Sequence, residues 1–365
     1  MISKQLPLYD LAEWKNGLAF RKIDFSNKGK PVIKIAELKN GITGQTQFTN
    51  GNYGEAVSLT RGDMVFSWSG NPETSIDVFW YDLPDGWLNQ HIFKVTPSEC
   101  VDKKYLYYLL KSLKSTFTAI ASNKQTTGLG HVTIKDLKEL IIDLPIRSTQ
   151  EAISNYLYAL DSKIHLNKQL NDNLQQQAQA IYASMFVDNA DPTWQQGHLS
   201  DLVTVRYGKD HKKLADGIYP VYGSGGIMRH VERPLYDKES VLIPRKGTLN
   251  NVMYVNQPFW SVDTMFYTEM RLPNVAKFVY HFVKAKDLAS MNAGSAVPSM
   301  TTDILNAMEV AIPPASVLEE FESLVAPMYR AMQENDAQSN KLADLRDTLL
   351  PKLMSGEIDV SAIQL

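Results

Sequence analysis

The chain has 365 residues, 37 Lys and Arg against 40 Asp and Glu, a net charge of −3 and 44% hydrophobic residues. That composition excludes wholesale disorder, and at roughly 100–200 residues per domain the length suggests two or three domains. The near-neutral balance argues, at first sight, against a simple basic nucleic-acid binder. The single cysteine, Cys100, excludes an intramolecular disulfide framework and a multi-cysteine zinc site. Residues 1–7 lead into no signal-peptide core, and no run reaches the ~20 apolar residues of a membrane helix. The expectation is a cytoplasmic protein with no membrane partner.

Residues 1–145 read as a first globular part. Short β-branched and aromatic runs such as Asp63-Met64-Val65-Phe66, punctuated by Gly, Asn and Pro, indicate strands, and residues 105–113 indicate a helix. Leu144-Pro145 then leads to Ser148 and Glu151, the spacing of a helix capping box. Over residues 146–188 a long helix is predicted. Ile153, Leu157, Leu160, Ile164, Asn167, Asn171, Leu174, Ala178, Ile181 and Met185 fall at alternating steps of four and three, the seam of a coiled coil. Asp188-Asn189-Ala190-Asp191-Pro192 reads as a linker.

Residues 189–311 repeat the first part, and residues 312–365 repeat the helix. Pro313, Ser316 and Glu319 each lie 168 positions after their counterparts. The same offset carries the seam onto Phe321, Val325, Met328, Met332, Asn335, Ser339, Leu342, Arg346, Leu349 and Leu353. Arg346 departs from the pattern, and Leu345 beside it is expected to supply the contact. Both seams carry a central polar layer, Asn167/Asn171 and Asn335/Ser339, of the kind that costs stability but fixes register. The globular parts repeat more loosely. Leu11 to Gly17 resembles Leu202 to Gly208, Pro31-Val32 matches Pro220-Val221, and Trp87 with Phe93 matches Trp260 with Phe266. Gly128 and Thr133 are echoed by Gly294 and Ser299, and residues 275–282 indicate a helix in this part. The expected fold is therefore α+β: two globular domains joined by two long antiparallel coiled-coil helices with a pseudo-two-fold repeat. A helix of about 37 residues is roughly 55 Å long, which would hold two contact surfaces at a fixed distance.

This order of motifs resembles the specificity subunit of type I restriction–modification systems, over essentially the whole chain. The resemblance is carried by Leu144-Pro145-Ile146-Arg147-Ser148-Thr149-Gln150-Glu151-Ala152-Ile153, by Leu160 to Asn167 with Leu170-Asn171, and by Ala178 to Phe186. Tyr219-Pro220-Val221-Tyr222-Gly223-Ser224-Gly225-Gly226 and Leu350-Pro351-Lys352-Leu353-Met354-Ser355-Gly356-Glu357-Ile358 complete it. It implies that each globular part is a target-recognition domain reading one half of a split, asymmetric site on double-stranded DNA. The helices would act as ruler and as docking surface for two modification (methyltransferase) subunits. Restriction subunits, ATP-dependent translocase–nucleases, would complete the complex. No cofactor is expected on this chain; S-adenosylmethionine and ATP with Mg would sit on the partner subunits. The second copy lacks the Gln150-Glu151 pair at Ser316-Val317-Leu318-Glu319-Glu320, so helix-to-partner contacts are expected to differ between the halves.

A self-contained methyltransferase or nuclease, or a coiled-coil scaffold that ignores DNA, are the competing readings. Asn256-Gln257-Pro258-Phe259 approaches the Asn-Pro-Pro-aromatic loop of adenine methyltransferases, but Gln257 replaces the first Pro and no Gly-rich cofactor loop accompanies it. No catalytic or metal-ligating set stands out. A reader of DNA needs donors for phosphates and side chains that reach base edges. The candidates are Arg21, Lys22, Ser69, Asn71, Lys124, Gln125 and Thr126 in the first part. In the second they are Tyr222, Ser224, Arg229, Arg245, Lys246, Thr248 and Asn250. Any one of these, taken singly, reads better as a solvated loop residue; as a set, some of them should lie on DNA. Trp87 and Trp260, kept by both copies, read as core.

Divided by region, the charge changes meaning. Residues 1–145 carry +2 and residues 191–312 carry +1, while residues 146–190 carry −1 and residues 313–365 carry −5. Mildly positive globular parts sit beside acidic helices. The isolated chain is expected to bind DNA weakly and with a shallow salt dependence.

Overall fold

The computed structural model describes residues 3–125, 128–291 and 299–360, so Thr126 and Gly294 lie outside the described residues. The first globular part runs β1 (Ser3–Pro7), β2 (Ala12–Asn16), β3 (Lys30–Ile33), α1 (Ile35–Asn40), β4 (Phe48–Thr49), β5 (Ser58–Leu59), β6 (Met64–Ser67) and β7 (Ser69–Gly70). It continues with α2 (Pro72–Ser75), β8 (Asp77–Trp80), β9 (Gly86–Leu88), β10 (Ile92–Pro97), α3 (Lys103–Ser112), α4 (Lys114–Asn123), β11 (Gly130–His131), α5 (Ile134–Glu139) and β12 (Ile141–Pro145). The long helix α6 (Arg147–Ala183) follows and ends in a π-helical turn over Ser184–Asp188. The second part runs β13 (Gln195–His198), α7 (Leu199–Leu202), β14 (Val203–Tyr207), β15 (Tyr219–Gly223), β16 (Gly226–Val231), β17 (Ser240–Pro244), β18 (Met253–Val255), β19 (Trp260–Ser261) and β20 (Met265–Met270). Then come α8 (Ala276–Lys284), α9 (Thr302–Asn306), β21 (Glu309–Ile312) and the second long helix α10 (Ala315–Ser355).

Two compact units result, one of Met1–Leu166 with Gln338–Leu365, the other of Asn167–Ala337. Each unit thus combines one globular part with half of each long helix. The main antiparallel sheet repeats strand for strand. In the first unit β2-β10-β6-β8 form an antiparallel sheet, and in the second β14-β20-β17-β18 do the same. A parallel pair, β3 with β9 or β15 with β19, accompanies each, matching Val32 opposite Trp87 with Val221 opposite Trp260. The pairs β1–β12 and β13–β21 close each globular part where the chain enters a long helix. Every residue of β6 and β17 is buried, as befits central strands covered on both faces.

The helices α3 and α8 explain how each globular part is attached. In α3, Tyr105, Leu106, Tyr108 and Leu109 share the inner face, and Asp102 caps it by accepting from the Tyr105 N–H (2.9 Å). These residues share one core with Ile153 and Leu157 of α6 and Leu353 of α10. In the second unit Phe278, Val279 and Phe282 of α8 meet Ala178 and Tyr182 of α6 and Leu318, Phe321 and Val325 of α10. Within each unit the two helix halves run antiparallel: Asp161 pairs with Arg346, while Asn167 and Asn171 bond the carbonyls of Asn335 and Met332.

Every one of the predicted seam residues is buried or half-buried: Ile153, Leu157, Leu160, Ile164, Asn167, Asn171 and Leu174, and Phe321, Val325, Met328, Met332, Asn335, Leu342 and Leu349. Two expectations need correction. The capping boxes do not form, because each helix starts two residues before the point that Ser148 or Ser316 would cap. At α6 the Ile146 carbonyl accepts from the amides of Thr149 and Gln150, which puts Ser148 inside the first turn and leaves Glu151 to Arg147 (2.8 Å). At α10 the Pro314 carbonyl does the same for Val317 and Leu318. Leu345 does not replace Arg346 in the seam either; it is 42% exposed, and Arg346 keeps the position through its 2.7 Å ion pair with Asp161. Gln150 is turned inward. Its side chain accepts from the Asp102 N–H (2.7 Å) and donates to the carbonyls of Pro145 and Cys100 (2.8 and 3.3 Å).

Candidate nucleic-acid interface

In the first unit the exposed rim of the β2-β10-β6-β8 sheet is organised around Trp68, just past β6. Its ring stacks on Phe93 (5.5 Å between centroids, 25° interplanar) and its indole N–H donates to Asn16 Oδ1 (3.0 Å). His91 and His131 flank it, each with a centroid 5.8 Å away. Burial, then the nearby His131, holds His91 below its ordinary range. His131 Nδ1 and Ser69 Oγ share a 2.9 Å hydrogen bond across the β7–β11 pair.

Several candidates here have intramolecular partners. Ser69 is buried. Asn71 caps α2, its Oδ1 accepting from the amides of Glu73 and Thr74 (3.0 and 3.1 Å). Lys124 is ion-paired with Asp136 at the start of α5. Burial would raise the Asp136 carboxyl, but Lys124 and Thr133 bind it and hold it below the usual range. Gln125 is exposed at the end of α4, beside β11, where the Ala121 carbonyl lies so close to Gly130 that a Cβ would sit 2.3 Å from it. Arg21 and Lys22 lie apart, on an exposed 3-10 turn where the Arg21 amide donates to Asp24 (2.6 Å).

In the second unit the corresponding rim gathers Tyr207, Arg245, Lys246, Gly247 and Ser224. Arg245 holds its guanidinium over the Tyr207 ring (5.4 Å) and donates to the Asp263 carbonyl (3.4 Å). Lys246 forms a backbone bridge with Ser299. Gly247 is in the left-handed region (φ 86°), and a Cβ there would stand 2.5 Å from Ser224 Oγ, so the β15–β16 turn sits directly against it. Asn251, next to Asn250, fastens that turn by donating to the Ser224 carbonyl (2.8 Å). Thr248 is exposed. Three other candidates are engaged away from this cluster. Arg229 binds Asp216 (2.7 Å) and the Leu214 carbonyl, Asn250 bridges Asp287 and the Ala289 amide, and half-buried Tyr222 accepts from Gln257 (3.2 Å). Gln257 and Phe259 are thereby part of the turn into β19, with Phe259 fully buried.

The family profile of the type I restriction modification DNA specificity domain matches residues 3–176 and 192–320. The chain belongs to that family. Among specificity subunits it is 23% identical to that of the type I restriction enzyme MjaIX of Methanocaldococcus jannaschii, over 91% of this chain and 90% of the relative. It is 21% identical to that of HindI of Haemophilus influenzae, over 82% and 87%. The crystal structure of a type I S subunit from M. genitalium superposes with a TM-score of 0.60 at 19% identity, covering 97% of this chain and 96% of that one, which establishes the shared fold.

As expected of residues that both copies keep, Trp87 and Trp260 are core residues, 5% and 7% exposed. The rim residues Asn16, Tyr207, His91 and His131 were missed in the sequence. The signal for two of them was present, since Asn16 and Tyr207 each precede the glycine that ends the Leu11–Gly17 and Leu202–Gly208 match. Among the described residues, no group of three His, Cys, Asp or Glu side chains could hold a metal ion, and no helix is long and apolar enough to cross a membrane.

Proposed function

We propose that this specificity subunit is the non-catalytic DNA reader of a type I restriction–modification complex, with each unit reading one half of a bipartite, asymmetric site. One observation carries the reading: a single sheet frame occurs twice, and the side chains at its exposed rim differ between the copies. Identical rims would read the same bases twice, so different rims imply different half-sites. The long helices set the spacer and dock two modification subunits; Tyr158, Leu166 and Leu324, large apolar residues exposed on them, suit such docking. Restriction subunits join the complex, and S-adenosylmethionine and ATP with Mg belong to the partners. With net charges of only +2 and +1 on the globular parts, the partners also supply much of the phosphate-neutralising charge.

The test is to sequence modified bases in DNA from cells with and without this gene, alongside the purified chain assayed alone. A split, asymmetric methylated motif that depends on the gene is the expected result. A palindromic motif would sink the two-reader scheme, and methylation or cleavage by the chain alone would reveal an active site of its own. Exchanging residues 1–145 for those of another family member should change one half-site, and lengthening both helices in step should lengthen the spacer.

A further inference from the structure

The two rims can be matched residue by residue, because the backbone hydrogen bonds around them are the same. The Trp68 amide donates to the His91 carbonyl (3.2 Å), and its carbonyl accepts from Val132 (2.8 Å). The Arg245 amide donates to the Thr264 carbonyl (2.9 Å), and its carbonyl accepts from Met300 (2.9 Å). On the neighbouring strand Asn16 pairs with Phe93, and Tyr207 pairs with Phe266. The glycine that follows is required in both copies: a Cβ on Gly17 would stand 2.2 Å from the Asn89 carbonyl oxygen, and one on Gly208 would stand 2.0 Å from that of Val262. Trp68 therefore occupies the place of Arg245, and Asn16 the place of Tyr207.

Within this shared frame the chemistry is exchanged. The first unit sets an aromatic ring against an amide, and the second sets a cation against an aromatic ring. We infer that the pairs Asn16–Trp68 and Tyr207–Arg245 are the principal base-reading positions of the two units, an inference that rests on the DNA-reading function proposed above. Contacts to phosphate carry no sequence information and need not diverge for the half-sites to differ, whereas base-edge contacts must. Both pairs are also pre-organised. Stacking on Tyr207 orients the planar guanidinium, which suits the paired O6 and N7 acceptors of guanine. The Trp68 N–H engages Asn16 Oδ1, which leaves the amide N–H groups to donate, with no partner among the described residues. The neighbouring position serves differently: Ser69 is buried against His131, and its counterpart Lys246 is an exposed point charge suited to phosphate.

The experiment uses the complex assembled from the full chain and its modification subunits, methylating a pool of DNA randomised across the site. N16Y/W68R should change the preferred base in one half-site only, and Y207N/R245W in the other only. The original sequence should be methylated roughly ten- to a hundredfold more slowly. Because Trp68 also packs on Phe93, N16A and R245K are read alongside; they keep both rings in place and should relax discrimination at one base pair of one half-site, a guanine for R245K. If these variants melt as wild type and keep wild-type discrimination, the inference is overturned while the functional reading stands. If the wild-type complex itself shows no split motif, the functional reading fails and takes the inference with it.

Discussion

The two units attach their globular parts to the long helices by the same geometry and different chemistry. In the first, the junction is polar: Tyr108 of α3 donates to Asp161 of α6 (2.7 Å), and Arg346 of α10 pairs with the same carboxylate (2.7 Å). Gln150 and Ser154 bind the Asp102 loop beside it. In the second, the place of Asp161 is taken by Tyr329, that of Gln150 by Leu318 and that of Arg346 by Ala178, each 168 positions away. There His281 is buried between Gln179 (2.8 Å) and Tyr329 (2.9 Å), ringed by Tyr182 and Phe321, and Lys277 bridges Glu239 and Glu322. A duplicated junction tolerates such exchange because what selection must keep is complementarity across each interface.

The largest expected effect is in the aromatic junction. Phe321→Ala removes a fully buried ring that contacts Tyr182, Phe186 and His281, and should cost about 3–5 kcal/mol. Its counterpart Ile153→Ala should cost less, about 2–3 kcal/mol, because fewer atoms leave the core. Native-state hydrogen exchange assigns each loss to a unit; comparable losses in both would mean that the aromatic cluster adds nothing beyond area.

In the polar junction Arg346→Leu leaves Asp161 half-buried with Tyr108 alone and should cost about 2 kcal/mol. Adding Asp161→Asn should recover about half of that, since the amide oxygen still accepts from Tyr108 without an unpaired charge. Urea unfolding of both variants measures the difference, and a double variant no better than the single would show that the ion pair is not what holds the site.

The junctions should also part on acidification. Burial lowers His281 from its ordinary 6.5 to about 4, so the folded second unit holds this ring neutral. Between these values the unfolded chain binds the proton and the folded chain does not. The contribution is therefore complete above pH 6.5 and is lost as pH falls toward 4, about 2 kcal/mol by pH 5. His281→Phe should flatten that slope in the second unit, read by hydrogen exchange at pH 7 and 5. A slope unchanged by the substitution would place the titration elsewhere.

The repeat was legible because its markers are local. Pro145 and Pro313, and the heptads behind them, carry backbone and packing requirements that a spacing of 168 exposes directly. The start of the helices was not, because the choice between Ser148 and the Ile146 carbonyl as the first acceptor depends on how β12 delivers the chain. The rim was half legible. Order along the chain sets residues 67–71 against 245–248, but the pairing of Trp68 with Arg245 depends on hydrogen bonds to residues 23 and 19 positions further on. Likewise Ser69, Asn71, Lys124 and Asn250 are donors or acceptors by type, and only the fold reveals the partners that occupy them.

The smallest expected difference lies at one of those positions. Asn71 and Thr248 occupy the same place in the two rims, three residues beyond Trp68 and Arg245. Asn71 is followed by a short helix and caps it; Thr248 is followed by an irregular turn in which its backbone carbonyl accepts from the Asn251 amide (3.0 Å). Asn71→Ala should therefore cost the first unit about 1 kcal/mol, and Asn71→Asp almost nothing, because a carboxylate oxygen caps equally well and favours the helix N-terminus. Thr248→Ala should cost the second unit less than about 0.5 kcal/mol, as for a surface hydroxyl. Thermal melts of the three variants decide it. A loss at Thr248 equal to that at Asn71 would mean that its hydroxyl, like the Asn71 amide, is spent on holding the rim in shape rather than free to meet DNA.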